Sequence, residues 1–201
     1  MPIDKFTTLT STMIPLPIEN VDTDQIIPAR FLKATTKDGF GDNLFADWRY
    51  NKDGSPKADF VLNKSEYQGS TVLVAGKNFG SGSSREHAAW AVQGYGLKAV
   101  VSSFFADIFK NNVLNNGVLP VQVSEGFLQK IFTEIEKDPK TEIEINLEKQ
   151  TITLKATGDS ESFDINSYKK DCMLNGFDDI DYLLNMEEEI AGFEKKLPSF
   201  N

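Results

Sequence analysis

Short apolar runs alternate with helical patterns through the middle of the chain, and this alternation predicts an α/β fold. Runs typical of buried strands lie at 71–75, 98–101 and 118–123. Patterns with helical spacing follow them at 84–95, 104–114 and 124–137. Because strands and helices follow one another in turn, these segments predict one layered α/β body.

The two flanks of this core carry different patterns. Residues 7–18 alternate apolar and polar positions around Pro15 and Pro17, which predicts an edge strand or an extended lead-in. Alternation at 142–147 and 151–154 predicts a half-exposed hairpin, and short helices are predicted at 168–174, 177–184 and 187–195. Residues 33–69 are predicted to form a long loop region anchored by Phe45, Trp48 and Tyr50.

A glycine-rich turn joins the strand at 71–75 to the following helix and predicts an anion site. It reads Asn78-Phe79-Gly80-Ser81-Gly82-Ser83-Ser84-Arg85-Glu86-His87-Ala88. Glycines let the backbone turn sharply and approach a ligand, and the first helical N–H groups lack internal partners at the positive end of the helix dipole. Ser83 and Ser84 add hydroxyls, and Arg85 adds a fork of donors suited to a carboxylate.

Other interpretations of this turn are weaker. It lacks the third glycine of a dinucleotide fingerprint, and the order of residues in a phosphate-binding P-loop is absent. A purely structural interpretation makes Ser83 or Ser84 the helix N-cap, closed by Glu86 or His87, with Arg85 in a surface ion pair. Two adjacent serines followed by arginine exceed what a cap needs.

Two further groups have a structural and a chemical interpretation. Asp22, Thr23 and Asp24 could fix a turn or form part of a magnesium or acid/base site, and we favour the turn because no third ligand is near in sequence. His87, the only histidine, lies one turn into the predicted helix. We expect it to make a hydrogen bond at the helix end rather than to act in catalysis.

Composition and charge narrow the possible partners. The net charge is −9, and the acidic excess lies in residues 125–201, which hold nine Lys against eighteen Asp and Glu. Without a basic cluster, nucleic-acid binding is disfavoured. Only three basic residues are arginines, Arg30, Arg49 and Arg85, and all three lie in motif-like segments that suggest bidentate binding of carboxylates.

The remaining composition predicts a cytoplasmic chain that depends on a partner for any metal chemistry. No apolar stretch has the length of a membrane span, and the first residues lack the features of a signal peptide. The single cysteine, Cys172, excludes an internal disulfide and cannot by itself hold zinc or an iron–sulfur cluster.

Several long motifs carry a family resemblance that extends over essentially the whole chain. The motifs are residues 20–32, Gly39-Phe40-Gly41 with Asp47-Trp48-Arg49, residues 78–88, residues 105–109 and Cys172-Met173-Leu174-Asn175-Gly176. Together they resemble the small subunits of bacterial 3-isopropylmalate dehydratases and, more weakly, the swivelling C-terminal domain of aconitases. The resemblance implies a single three-layer β/β/α swivelling domain over 1–201, with short C-terminal helices.

The resemblance also implies a division of labour between two subunits. In aconitase-like enzymes a large subunit binds a [4Fe–4S] cluster through three cysteines, and its open iron acts as a Lewis acid on a small hydroxy-dicarboxylate. In this chain the resemblance makes Ser83 the catalytic base, acting as an alkoxide. It makes Ser84, Arg85, Gly82 and Asn78 the substrate-binding residues, with no metal ligand in this chain.

Substrate choice in this family depends partly on the segment after the Ile-Ile-Pro turn, here Phe31, Leu32, Lys33, Ala34 and Thr35. An apolar side chain there favours an isopropyl group, whereas a cation favours a third carboxylate, so Lys33 leaves the substrate range open. The alternatives are a small subunit for homoaconitate or 2-methylmalate, and a module that binds dicarboxylates without catalysis.

Overall fold

The computed structural model describes residues 4–195 as a seven-stranded sheet with α-helices and short 3-10 turns. The strands are β1 Thr8–Leu16, β2 Val72–Ala75, β3 Ala99–Ser102, β4 Leu119–Gln122, β5 Glu142–Asn146, β6 Thr151–Leu154 and β7 Ser160–Ser162. The helices are α1 Thr23–Ile26, α2 Ala46–Arg49, α3 Glu86–Gly94, α4 Asp107–Asn115, α5 Glu125–Lys137, α6 Ser167–Asn175, α7 Asp179–Asn185 and α8 Glu187–Glu194. The 3-10 turns are Ala29–Phe31, Phe40–Asn43, Val61–Asn63 and Ser65–Tyr67.

The sheet has a parallel half and an antiparallel half that share β1. Its strand order is β4-β3-β2-β1-β5-β6-β7. The strands from β1 to β4 are parallel, and β5, β6 and β7 continue from the other side of β1 as an antiparallel ladder. The predicted α/β class is confirmed, and each predicted helix and strand of the core lies within three residues of its observed bounds.

The prediction that the first strand lies at an edge is wrong, because β1 is the central strand of the sheet. Its first part, from Thr8 to Thr12, pairs with β5, and its second part, from Met13 to Leu16, pairs with β2. Pro15 lies in the second part, where β5 no longer occupies the other side of the strand. A proline lacks an N–H donor, and this change of partner lets it stand in a central strand without leaving a ladder acceptor unpaired.

Amphipathic patterns form α5 and the hairpin of β5 and β6 as predicted, whereas β7, α1 and α2 were not predicted. Helix α5 begins at the N-cap Ser124, whose hydroxyl accepts the Phe127 N–H at 3.2 Å. Its buried face carries Phe127, Leu128, Ile131, Phe132 and Ile135. In the hairpin of β5 and β6, the buried residues Ile143 and Ile145 face Leu154 and Ile152. Across residues 4–195, no helix is long and apolar enough to cross a membrane.

The predicted loop region 33–69 contains short turns that an aromatic cluster holds to the core. Phe45 is fully buried and stacks on Trp48 with ring centroids 5.5 Å apart. Arg49 is buried as well, and its guanidinium donates to the carbonyls of Gly41, Asp42 and Leu44, each at 3.4 Å. Arg49 therefore holds the loop together, and the expectation that it binds a carboxylate is wrong.

Candidate functional site

Three loops that follow parallel strands meet at one edge of the sheet. They are the loop 17–22 after β1, the loop 76–85 after β2 and the loop 103–106 after β3. Parallel strands place their carboxyl ends at the same edge, where α/β folds commonly bind ligands. Two isolated bridges, Asp22 to Ser81 and Phe79 to Phe105, join these loops beyond the ends of the strands.

The glycine-rich turn lies against the loop after β1 through backbone hydrogen bonds. The Val21 carbonyl accepts the N–H groups of Gly80 at 2.8 Å and Ser81 at 3.2 Å. In return, the Ser81 carbonyl accepts the Thr23 N–H at 2.9 Å, and the Lys77 carbonyl accepts the Asn20 N–H at 2.8 Å. Backbone hydrogen bonds therefore fix the turn against the loop after β1.

Position 80 needs a glycine for two reasons: the backbone angle of the turn and the close packing of α4. Its φ is +79°, in the left-handed region, and a Cβ at this position would lie 2.2 Å from Cγ of Phe109. Phe109 lies in α4 and packs edge-on against Phe79 with ring centroids 5.2 Å apart. The close approach of this ring to the backbone leaves no room for a side chain.

The serines of the turn are exposed at the start of α3. Ser83 and Ser84 are both exposed, and the Ser83 carbonyl accepts the hydroxyl of Thr23 at 2.9 Å. The N-cap of α3 is Arg85, with no side-chain cap hydrogen bond. The interpretation of Ser83 or Ser84 as an N-cap is therefore wrong, and both serines are exposed directly before the start of α3.

Arg85 forms an ion pair with Asp24 of α1. The Arg85 side chain is 17% exposed, whereas that of Asp24 is 53% exposed, so the guanidinium is largely enclosed and the carboxylate is open to solvent. A partly enclosed guanidinium held by one carboxylate is oriented before any ligand arrives. Sequence reasoning treated Asp24 as a turn residue or as part of a magnesium or acid/base site, and it missed this contact with Arg85, although a place just after the first strand is a signal for a position at this edge.

The turn interpretation is confirmed for Asp22 and not for Asp24. Asp22 caps α1 through a capping box: its side chain accepts the Gln25 N–H at 2.8 Å, and the Gln25 side chain accepts the Asp22 N–H at 2.9 Å. Thr23 and Asp24 instead contact the glycine-rich turn. Among residues 4–195, no group of three or more His, Cys, Asp or Glu side chains is arranged to hold a metal ion.

Asn78 and Gly82 lie on either side of Ser81, the residue of the turn that bridges to Asp22. The Asn78 side-chain amide donates to Oδ1 of Asn20 at 2.9 Å, and both asparagines have positive φ. Gly82 is exposed with φ at +91°. The chain thus brings Asn78, Gly82, Ser83, Ser84 and Arg85 onto one surface, with Asn78 already engaged by the loop after β1.

The segment 31–35 begins with the last residue of the 3-10 turn Ala29–Phe31, which comes after α1. Phe31, Leu32 and Ala34 are partly buried against the core, whereas Lys33 and Thr35 are exposed. The residue before this segment, Arg30, pairs with Asp47 at 2.6 Å, so this arginine does bind a carboxylate, but one within the chain. The apolar side chains are therefore anchored, and the amino group of Lys33 is free of the core.

His87 connects α3 to this segment. Its Nε2 lies 3.1 Å from the Ala34 carbonyl oxygen, and its ring packs against Trp90 with centroids 4.5 Å apart. The expected hydrogen bond is present, but its partner is the segment 31–35 and not the end of the helix.

Ser83 and Ser84 lie at the exposed surface. A cavity of about 1130 Å³ lies beside the segment 31–35 and is lined by residues that include Arg30, Phe31, Asp47 and Tyr50. Neither Ser83, Ser84 nor Arg85 lines it. The surface around Ser83 is open, so a second protein could cover it.

Known proteins are similar to this chain in sequence and in fold. The family described as the aconitase C-terminal domain matches residues 3–126, and the family LeuD_N matches residues 129–167. These matches confirm the expected three-layer fold of the aconitase type.

Individual relatives match nearly the whole chain. The 3-isopropylmalate dehydratase small subunit of Christiangramia forsetii is 63% identical over 96% of this chain and 94% of its own length. The small subunit of the same name from Cytophaga hutchinsonii is 61% identical over 96% of both chains. A crystal structure of 3-isopropylmalate dehydratase (LeuD) from Methanocaldococcus jannaschii superposes with a TM-score of 0.67 at 25% identity, covering 92% of this chain and 98% of that one.

Proposed function

Because the chain belongs to the family of 3-isopropylmalate dehydratase small subunits, we propose that it acts with a large subunit to interconvert 2-isopropylmalate and 3-isopropylmalate. The reaction is that of a hydro-lyase in leucine biosynthesis. Water leaves from two adjacent carbons and adds back with the hydroxyl on the other carbon.

The observation that carries this proposal is the placement of Ser83, Ser84 and Arg85 on one fixed turn at the start of α3. The backbone bonds from Val21 and Thr23 hold this turn, so its groups are oriented before substrate binds. Preorganised donors stabilise developing negative charge at no reorganisation cost during the reaction. A site of this kind suits a substrate that carries two carboxylates.

Ser83 is the proposed base. Its alkoxide takes the proton from the carbon that bears a carboxylate, and the electron pair left on that carbon is delocalised into the carboxylate as a dianion. A free serine is far too weakly acidic to supply an alkoxide. The helix dipole, the unpaired N–H groups and the Arg85 guanidinium are the groups that stabilise the alkoxide and the dianion.

The other residues of the turn bind and orient. Arg85 offers two parallel N–H donors to a substrate carboxylate, and the Ser84 hydroxyl adds a third donor. Gly82 and Asn78 shape the backbone that faces this carboxylate. The single ion pair of Arg85 with Asp24 uses one side of the guanidinium and sets its direction.

The residues of this chain do not fit an iron–sulfur cluster. Three thiolates hold the cluster in an aconitase-like enzyme, and the one cysteine here, Cys172, is 5% exposed on the buried face of α6. We therefore assign the cluster to the large subunit, together with the enclosure of the open surface around Ser83. A reducing compartment suits such an enzyme, and the cytoplasm is the proposed location.

The relatives favour isopropylmalate over the alternatives, whereas the segment 31–35 leaves the substrate range open. Phe31 and Leu32 present apolar surface suited to an isopropyl group, whereas exposed Lys33 would suit a third carboxylate. Assays of the assembled enzyme on 2-isopropylmalate, homoaconitate and 2-methylmalate separate these substrates.

The experiment that tests the mechanism is Ser83→Ala in the complex with a large subunit. Loss of a positioned base should lower kcat by about a thousandfold or more while KM changes little. The variant should assemble and unfold like the wild type, because Ser83 makes no cap and only its carbonyl is used by Thr23.

Ser81→Ala is the matched control, since only the backbone of Ser81 holds the turn. It should retain kcat within about twofold. A Ser83→Ala complex with near wild-type kcat would overturn the assignment of Ser83 as the base and leave this chain a substrate-binding role within an active complex.

A further inference from the structure

His87 joins two parts of the site that are 53 residues apart in sequence. It is the second residue of α3 and follows Arg85 by two positions, so it lies on the same helical turn as the proposed anion site. Its Nε2 lies 3.1 Å from the carbonyl oxygen of Ala34, in the middle of the segment 31–35. Because a carbonyl oxygen only accepts, Nε2 carries the hydrogen and has no free lone pair with which to take a proton from a substrate.

The His87 ring is held by its neighbours. It packs against Trp90 at 4.5 Å and against Phe40 at 5.7 Å between ring centroids. Phe40 begins the next 3-10 turn, where Gly41 approaches Gly94 so closely that a Cβ on Gly41 would lie 2.2 Å from the backbone of Gly94. The 3-10 turn after the segment 31–35 therefore packs against both ends of α3, through Phe40 on His87 and Gly41 on Gly94. His87 also makes the polar contact with the segment itself.

We propose that His87 is a positioning residue that sets the distance between the segment 31–35 and the turn of Ser83 and Arg85, and so determines which substrate side chain the site accepts. This inference rests on the proposed function, in which Arg85 binds a carboxylate and Phe31 and Leu32 face the substrate's apolar group. Helix α3 would thus hold both ends of the substrate site, the carboxylate end through its N-cap Arg85 and the apolar end through His87. Releasing Ala34 from His87 would loosen the apolar end and leave the carboxylate end in place.

The test compares two His87 variants in the complex with the large subunit. His87→Phe keeps an aromatic ring against Phe40 and Trp90 but removes the donor, whereas His87→Gln places an amide N–H near the same position. The readout is the ratio of kcat/KM for 2-isopropylmalate to that for 2-methylmalate. His87→Phe should lower this ratio by about fivefold, the loss expected for one hydrogen bond, and His87→Gln should restore it to within about twofold of the wild type.

A stability control and a direct measurement complete the test. Val92→Ala truncates a fully buried side chain in the same helix and should lower stability without changing the ratio. In the isolated chain, hydrogen exchange at the Ala34 amide, which bonds to the Phe31 carbonyl at 3.2 Å, should become faster in His87→Phe and stay slow in His87→Gln.

The possible outcomes are distinct. An unchanged substrate ratio in an active His87→Phe complex, or equal loss in both variants, would overturn the specificity role. Unchanged exchange at Ala34 in His87→Phe would overturn the positioning role itself. If the wild-type complex does not act on 2-isopropylmalate, the proposed function and the specificity role fail together, while the exchange measurement still decides whether His87 holds the segment.

Discussion

The parallel and antiparallel halves of the sheet share β1 but use the ends of their strands differently. In the parallel half, the loops after β1, β2 and β3 leave from one edge and are bridged by Asp22 to Ser81 and Phe79 to Phe105. In the antiparallel half, β5, β6 and β7 are joined by tight turns at alternate ends. Parallel strands all end at the same edge of the sheet, so the loops that follow them lie side by side. In an antiparallel ladder, successive strands end at opposite edges and are joined directly by short turns.

This difference explains where the chemistry lies. The candidate base Ser83 and Arg85 belong to the loop after β2, and Asp24, the ion-pair partner of Arg85, lies in α1 directly after the loop that follows β1. The hairpins of the antiparallel half expose polar side chains on one face and bury Ile143, Ile145, Ile152 and Leu154 on the other. We therefore expect changes in the parallel half to alter activity, and changes in the antiparallel half and beyond to alter stability alone.

Two glycines with similar backbone angles provide the strongest test of this comparison. Gly80, in the parallel half, has φ at +79°, and Gly158, in the turn between β6 and β7, has φ at +77°. A Cβ on Gly80 would lie 2.2 Å from Cγ of Phe109, whereas a Cβ on Gly158 would meet nothing within 4 Å. Gly158→Ala should therefore cost only the backbone term, about 1 kcal/mol.

Gly80→Ala should cost about 3 kcal/mol or more, because overpacking adds to the same backbone term, and the displaced turn should lose activity in any folded fraction. Urea unfolding of the isolated chains and kcat/KM of the complexes measure both effects. Equal destabilisation by the two substitutions would show that the contact with Phe109 is not what fixes this turn.

Sequence reasoning predicted the local parts of this molecule and missed the contacts between them. The strands, the helices and the glycine-rich turn follow from periodicity and turn chemistry, which involve residues close in sequence. The position of β1 at the centre depends on its pairing with β5, and no local pattern specifies that partner. Pro15 and Pro17 indicated an edge strand, because proline rarely stands in a strand that is paired on both sides. The change of partner along β1, which makes room for Pro15, is a tertiary feature that the sequence does not reveal.

The same limit applies to the site. The turn carrying Ser83 and Arg85 was predicted, but its partner Asp24 is 61 residues away in sequence. Arg49 looked like a carboxylate ligand from its residue type alone, whereas its burial among loop carbonyls makes it structural. A residue type limits the chemistry that a side chain can perform, and the tertiary structure selects which of those roles it has.

Arg85→Lys should have the next largest effect and should change substrate binding rather than folding. Lysine keeps the charge beside Asp24 but loses the planar fork that binds a carboxylate through two hydrogen bonds. We expect KM for 2-isopropylmalate to rise by about a hundredfold, with unfolding nearly unchanged. Steady-state kinetics of the complex measure KM. Lys98→Ala is the control, because it removes a cation from an exposed ion pair with Asp4 outside the turn.

Asp24→Asn should have a smaller effect that depends on Arg85. Removing the carboxylate leaves the guanidinium less well oriented, so we expect KM to rise by about fivefold with kcat retained. In the Arg85→Lys background the same substitution should add little, because the two residues act as one unit. Additive effects in the double variant would show that Asp24 does not act through Arg85.

The smallest predicted effect lies outside the site, at Asp179 in α7. Its carboxylate accepts from Lys169 Nζ at 2.7 Å and from the Tyr168 hydroxyl at 2.6 Å. These donors, Lys169 first, hold the pKa of Asp179 below its usual value of 3.8. A lowered carboxyl pKa stabilises the fold above the unfolded value, and this contribution is lost as the pH falls through the lowered value.

Because the Asp179 side chain is 59% exposed, solvent screening limits this contribution to less than about 1 kcal/mol. Asp179→Asn should lower the free energy of unfolding slightly at pH 7, and the difference from the wild type should shrink as the pH falls below about 4. Urea unfolding at several pH values measures this, and KM at pH 7 should stay unchanged. Among the hydrogen bonds and ion pairs of residues 4–195, those of Asp179 join α7 to α6 and none reaches the glycine-rich turn. A change in KM as large as that of Asp24→Asn would therefore contradict the expectation that changes outside the parallel half affect stability alone.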